Sequence, residues 1–106
     1  MTFDEDGDGH LEFSDEIRPV MEVVKRREAI FHEIVAERGR QNEKHGGPQH
    51  DDTHSIYDWV LFMRGRLCDA AEARGAAAAG IRRRKLIQVA ALAVAAIESM
   101  DRRPKE

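Results

Sequence analysis

Leu86-Ile87-Gln88-Val89-Ala90-Ala91-Leu92-Ala93-Val94-Ala95-Ala96-Ile97-Glu98-Ser99-Met100 decides the fold. On a helical wheel the apolar residues Leu86, Val89, Ala90, Ala93, Val94, Ala96 and Ile97 leave almost no polar face. A helix that is apolar all round is buried on every side. The run from Leu86 to Ile97 is about 12 residues long, well short of the roughly 20 that span a bilayer, so it belongs in a protein core and not in a membrane. A chain of 106 residues supplies one modest core. Its other helices are too few to wrap this one, and alanine-rich faces let helices approach closely. The expectation is an all-α fold: a bundle of three main helices, completed by oligomerisation, with a dimer closing a four-helix-type bundle.

The helix carrying this run is expected from about Ile81 to Met100. Before it, Gly75 to Gly80 form an alanine-rich link, helical or loose. Before that, Ser55 followed by Asp58 reads as an N-cap and its reciprocal partner, opening a helix with Ile56, Trp59, Val60, Met63 and Leu67 inward. Cys68 on that helix reads as a small buried hydrophobe. Residues 48–54 are polar and aperiodic, which reads as a loop. Gly46, Gly47 and Pro48 end a long first helix running from about Asp15 to Lys44. Ile17, Val20, Val24, Phe31, Ile34 and Val35 recur on it at helical spacing. Pro19 would fall in its first turn, where proline is tolerated. A thin stretch in the stripe, Arg26 to Glu28, is a candidate bend.

Composition sets the class. Hydrophobic residues make up 42% and charged residues 35% of the chain, the balance of a globular protein. One cysteine excludes an internal disulfide and fits a reducing compartment. The start is acidic where a secretory signal would be basic and then apolar, so the expected location is cytoplasmic. The net charge of −3 is unevenly spread: Asp4, Glu5, Asp6, Asp8, Glu12, Asp15 and Glu16 precede any Lys or Arg, whereas the segment from Ile81 onward carries seven basic residues and three acids. The chain as a whole is not basic enough for general nucleic-acid binding.

The acidic start, taken as a separate appendage of residues 1–16, has the spacing of a twelve-residue EF-hand calcium loop. Asp4, Asp6 and Asp8, the His10 carbonyl, Glu12 and Asp15 occupy the ligand positions, Gly9 the sharp turn, and Leu11 the apolar eighth position. Calcium, a hard cation, takes oxygens of this kind. Two features depart from the pattern: the last ligand is the shorter Asp15 instead of glutamate, and only Met1, Thr2 and Phe3 stand before the loop. A solvated acidic segment explains the same residues.

The densest chemistry lies between Glu37 and Trp59. Glu37, Gln41 and Lys44 share a helical stripe with Arg38 beside it, and His50, Asp51, Asp52 and His54 follow. Glu37-Arg38-x-Arg40-Gln41-x-x-Lys44-x-Gly46-Gly47-Pro48-x-His50-Asp51-Asp52-x-His54, with Asp58-Trp59 after it, resembles a segment of small phage and prophage proteins related to the MazG-like, all-α nucleotide pyrophosphohydrolases. The resemblance extends over about Glu37 to Arg103, within a bundle domain of residues 17–106, and His45 stands where that family usually has tryptophan.

The resemblance implies an all-α fold and Mg²⁺-dependent cleavage of nucleoside triphosphates to monophosphate and pyrophosphate. That chemistry needs clustered carboxylates to hold the metal. The family's E-E-x-x-E motif falls on Gly65, Arg66 and Asp69, and a further acid on Lys85. Only Asp69 and Glu72 remain as a candidate catalytic pair.

Three functions therefore stand open. The first is a phage-type protein that binds a nucleotide or nucleotide-derived signal without hydrolysing it, sequestering a host immune signal in a bacterial cytoplasm. Its candidate residues are Glu37, Arg38, Gln41, Lys44, His50, Asp51, His54 and Trp59, with Arg82, Arg83 and Arg84 as phosphate partners at a helix start. The second is a divergent pyrophosphohydrolase using Mg²⁺ on Asp69 and Glu72, with Asp51 and Asp52 as further candidate ligands. The third is a non-catalytic protein-interaction module. Plain structural roles compete with each of these. Arg82 to Lys85 also reads as a solvated helix start, Trp59 as core, and the Glu37-to-Lys44 face as a hydrogen-bonded staple. His50, His54 and Asp51 are a weak zinc set.

Overall fold

The computed structural model describes residues 8–104, with side chains from residue 17 onward. Among the described residues the chain is all α-helical: α1 (Asp8–His45), α2 (Gly47–Asp51), α3 (Ile56–Glu72) and α4 (Ala78–Arg102). No helix among them is long and apolar enough to cross a membrane. The chain divides into two compact units, residues 1–32 and residues 33–106.

The first unit is α1 up to residue 32. The helix begins at Asp8, earlier than the expected Asp15. Pro19 is consequently inside it rather than in its first turn, so one backbone hydrogen bond is missing there. Straight-chain Glu, Lys and Arg dominate from Glu22 to Glu28 and lose little rotamer freedom in a helix. That propensity carries the helix through the stretch where a bend was a candidate. Within this unit Ile17, Val20 and Val24 are all exposed. The calcium-loop ligands Asp4, Asp6, Asp8, His10, Glu12 and Asp15 lie outside the residues whose side chains are described.

The second unit holds the core. α1 ends at His45 because Gly46 turns left-handed, with φ 100°, and donates its N–H to the Asn42 carbonyl at 2.9 Å. A side chain at Gly46 would be strained in that conformation. Gly47, with φ 77°, then opens α2. The expected loop over residues 48–54 is therefore partly a short helix. Pro48, with its fixed φ, suits the first turn of α2, a start signal that the absence of periodicity hid. The Asp52 and Thr53 N–H groups close α2 onto the Pro48 and His50 carbonyls at 2.9 and 3.0 Å.

The capping box at α3 is formed as expected: the Asp58 N–H donates to Ser55 Oγ at 3.2 Å and the Ser55 N–H to Asp58 Oδ2 at 2.9 Å. At the other end of α3, Arg82 donates to the Ala70 and Ala73 carbonyls and Arg74 to the Ala71 and Ala73 carbonyls. These guanidinium groups satisfy carbonyls that a helix C-terminus leaves without intrahelical partners. The link after α3 resolves into a turn at left-handed Gly75, and α4 starts at Ala78.

α3 packs along α4, and α2 touches α4 near its end. The core is Trp59 with Leu92, Ala95 and Ala96, and Met63 packs against it. Small residues on α4 allow the close approach. The buried face of α3 runs through Trp59 and Ala70, whereas Ile56, Val60 and Leu67, expected inward, are each about half exposed. Cys68 is also exposed, against the expectation of burial. On α4, Ala91, Leu92, Ala95, Ala96 and Ser99 are buried, but Leu86, Ile97 and Met100 remain more than half exposed.

Candidate functional site

Ser99 and Arg102 at the end of α4 fix α2. Ser99 is wholly buried, and its hydroxyl donates to Asp52 Oδ1 at 2.9 Å. Arg102 donates to both oxygens of Asp52, with Nη2 at 2.7 Å from Oδ1. Arg103 donates to the His54 carbonyl. The hydrogen bonds from Arg102, then from Ser99, hold the Asp52 carboxyl below its ordinary pKa and raise that of Arg102. A pair this exposed contributes little stability. Its geometric effect is larger, because it sets His50, Asp51 and His54 against α1 and α3.

These residues enclose a pocket of about 160 Å³, lined by Arg38 and Gln41 of α1, His50, Asp51 and His54, Trp59, Phe62 and Arg66 of α3, and Leu92 and Ala95 of α4, with His45 at its edge. Its wall is aromatic. The His54 ring meets those of His50, Trp59 and Phe62 edge-on, with centroids 4.8, 5.2 and 4.9 Å apart. Its polar groups are unusual in lacking partners. Trp59 Nε1, Gln41 Oε1 and Asp51 Oδ2 are shielded from solvent and make no hydrogen bond among the described residues. Arg38 Nη2 stands 3.5 Å from Asp51 Oδ2, a charge contact rather than a hydrogen bond, and donates instead to Glu98 at 2.9 Å. Each unpaired buried group costs about 1–3 kcal/mol, and three in one small pocket are a concentrated cost.

A wider groove of about 840 Å³ adjoins the pocket and shares Gln41, His45 and Arg66 with it. Within the second unit the α1 Cα atoms, from residue 33 on, stay more than 8 Å from those of α4, so long side chains bridge the gap. Glu33 and Glu37 on the groove are both taken: Arg83 grips Glu33 through two 2.7 Å hydrogen bonds, and Arg40 binds Glu37 at 2.7–2.8 Å. The hydrogen bonds from Arg83 hold the Glu33 carboxyl below its ordinary pKa. Lys44, Arg66 and Arg84 also line the groove, and among the described residues none of them has a hydrogen bond or ion pair. The groove is therefore cationic after internal pairing.

The structure brings together most of the residues selected from the sequence. Arg38, Gln41, His50, Asp51, His54 and Trp59 meet at the pocket, and Glu37, Gln41, Lys44, Arg83 and Arg84 at the groove. Arg82 is turned to the carbonyls of α3 and lines neither. Asp69 is ion-paired with Lys85 at 3.3 Å, and Glu72 lies in the last turn of α3. Among the described residues no group of three His, Cys, Asp or Glu side chains is placed to hold a metal ion, the weak zinc set included.

Sequence reasoning passed over Phe62, whereas Arg66 entered it as a cation, able to meet phosphate, where the resemblance implies an acid. Both lie on the Trp59 stripe, at i+3 and i+7, so helical spacing from the tryptophan is the signal that would have placed them at the pocket. No family model matches the chain, and neither a curated protein nor a solved structure matches it.

Proposed function

We propose that residues 33–106 form a nucleotide-binding module that holds a nucleotide or nucleotide-derived signal without hydrolysing it. The observation that carries this reading is the meeting of two complementary subsites. An aromatic pocket whose buried polar atoms lack hydrogen bonds opens beside a groove whose Lys44, Arg66 and Arg84 have no ion pair among the described residues. Aromatic walls receive a flat heterocycle, and guanidinium and ammonium groups receive phosphate oxygens. The pairing of Asp69 with Lys85 favours binding over metal-assisted cleavage, because a cation stands where a divalent metal would need another carboxylate. The resemblance of the Glu37-to-Trp59 segment to MazG-like proteins supports the same ligand class. A phage-type bundle of this kind would withdraw its ligand from a host immune pathway.

The unit is proposed to work as an oligomer. Leu86, Ile97 and Met100 recur along one stripe of α4, and Ile56, Val60 and Leu67 along one stripe of α3, all partly open to solvent in a single chain. A second copy is the occupant in this proposal, closing a four-helix bundle. Light scattering gives twice the chain mass if so, and Ile97→Lys returns the chain to a monomer. A wild-type monomer mass at micromolar concentration refutes it.

Equilibrium dialysis against a mixed nucleotide and cyclic-nucleotide pool with Mg²⁺, read by mass spectrometry, tests the function. A species retained intact on the protein side is the expected outcome. A species consumed returns the pyrophosphohydrolase reading, and control levels on both sides favour a protein-interaction module.

A further inference from the structure

The unpaired atoms of the pocket specify more than a heterocycle. Resting on the nucleotide-binding reading, we infer that the pocket selects guanine. Two of the three orphaned atoms, Asp51 Oδ2 and Gln41 Oε1, are acceptors, and the third, Trp59 Nε1–H, is a donor. Asp51 and Trp59 are each more than nine-tenths buried, and both line the pocket. A matching ligand therefore presents two neighbouring N–H donors and one acceptor.

Among the common bases guanine alone has that edge: N1–H beside the 2-amino group, with O6 as acceptor. The amino group of adenine lies between ring acceptors, and that of cytosine lies beside one, so either would set acceptor against acceptor here. Uracil and thymine offer one N–H between two carbonyls. The Asp51 carboxyl takes the donor pair of guanine, Gln41 shares the 2-amino group, and Trp59 donates to O6. Arg38, held by Glu98 and Asn42, makes only a 3.5 Å charge contact with Asp51 Oδ2 and no hydrogen bond to it.

Size agrees. At about 160 Å³ the pocket is below the roughly 300–1,000 Å³ of sites for drug-sized ligands, and it is scaled to a single base. The exposed His50 ring forms its outer wall, and its side chain makes ring contacts and no hydrogen bond among the described residues. The shared residues Gln41, His45 and Arg66 then pass the ligand's phosphates to the groove.

The test is calorimetric titration of the full chain with GTP, ITP, ATP and XTP in the presence of Mg²⁺. One good bidentate base contact discriminates by about 1–3 kcal/mol, so GTP is expected to bind roughly 5- to 150-fold more tightly than ATP. ITP, which lacks the 2-amino group, is expected between them. Asp51→Asn replaces an acceptor with a donor of the same shape. It should lose the preference for GTP and gain affinity for XTP, whose 2-position is a carbonyl. A merely structural aspartate would not produce that exchange. If GTP, ITP and ATP bind alike, the guanine inference is overturned while nucleotide binding stands. If none binds, both readings fall. If Asp51→Asn binds XTP and GTP as the wild type does, Asp51 is not the base reader and the inference is overturned. Should Asp51→Asn fail to fold, the wild-type order of GTP, ITP and ATP decides alone.

Discussion

Arg66→Ala separates a ligand-binding cation from a structural one. Arg66 is half-buried on α3, lines both the pocket and the groove, and has no hydrogen bond or ion pair among the described residues. Lys44 and Arg84 line the same groove, so three like charges share it with no ion pair of their own among the described residues. Removing one deletes no internal hydrogen bond and relieves repulsion. The melting temperature should therefore stay level or rise slightly, with the stability change within about 0.5 kcal/mol.

Binding should respond in the opposite direction. A hydrogen bond to a charged group contributes about 1.5–3 kcal/mol, which is roughly a 10- to 150-fold loss of affinity for a nucleoside triphosphate. Calorimetric titration at fixed ionic strength reads the loss, and raising the salt should narrow it because exposed charges are screened. Unchanged affinity in a folded variant refutes the argument that the groove takes phosphates. A melting temperature several degrees lower would show that the Arg66 stem or charge supports the fold, and the argument from its missing partners would fail.

Other consequences follow from packing and protonation. Ser55→Ala removes one arm of the capping box and should cost about 1 kcal/mol, read by chemical denaturation; no measurable loss would mean that water replaces the cap. Ala95→Leu places a larger side chain at a position only 1% exposed against Trp59 and should destabilise by about 1–3 kcal/mol. Acid should act through Asp52, Glu33 and Asp58, each held below its ordinary pKa by Arg102, Arg83 and the Ser55 backbone N–H respectively. Unfolded carboxyls bind protons first as pH falls, so their stabilisation is complete above about pH 4 and is lost as pH drops through the lower folded values. Melts between pH 7 and pH 2 check this, and Asp52→Asn should flatten part of the acid limb.

The α-helical class was legible because it rests on local signals: the apolar run on α4, the Ser55–Asp58 cap and the Gly46-Gly47-Pro48 stop. Facing was less legible. Ile56, Val60 and Leu67 share helical spacing with Trp59 and Met63, and periodicity alone does not say which edge of a broad apolar stripe meets α4. The small residues on α4 settle it, since Ala95 and Ala96 admit the indole of Trp59 and leave the neighbouring stripe outward. Site membership was largely legible because polar residues of the Glu37-to-Trp59 segment converge through the Gly46 turn. Arg82 shows what a sequence leaves open: a basic residue at a helix start suggests an anion site, and here its guanidinium donates to the carbonyls ending α3.

The polar constellation and the apolar core are not separate features of this chain. Trp59 closes the core with its ring and lines the pocket with its unpaired N–H. Asp51 and Asp52 are neighbours with opposite duties: Asp52 is saturated by Ser99 and Arg102, and Asp51 Oδ2 has a charge contact with Arg38 but no hydrogen bond among the described residues. Had stability alone shaped this segment, an apolar residue at 51 would avoid the cost of a buried carboxylate oxygen without a hydrogen bond, about 1–3 kcal/mol. The protein retains that group beside two other buried atoms without hydrogen bonds and next to cations that have no ion pair among the described residues. That coincidence is difficult to explain by packing, and it follows directly if a ligand supplies the missing partners.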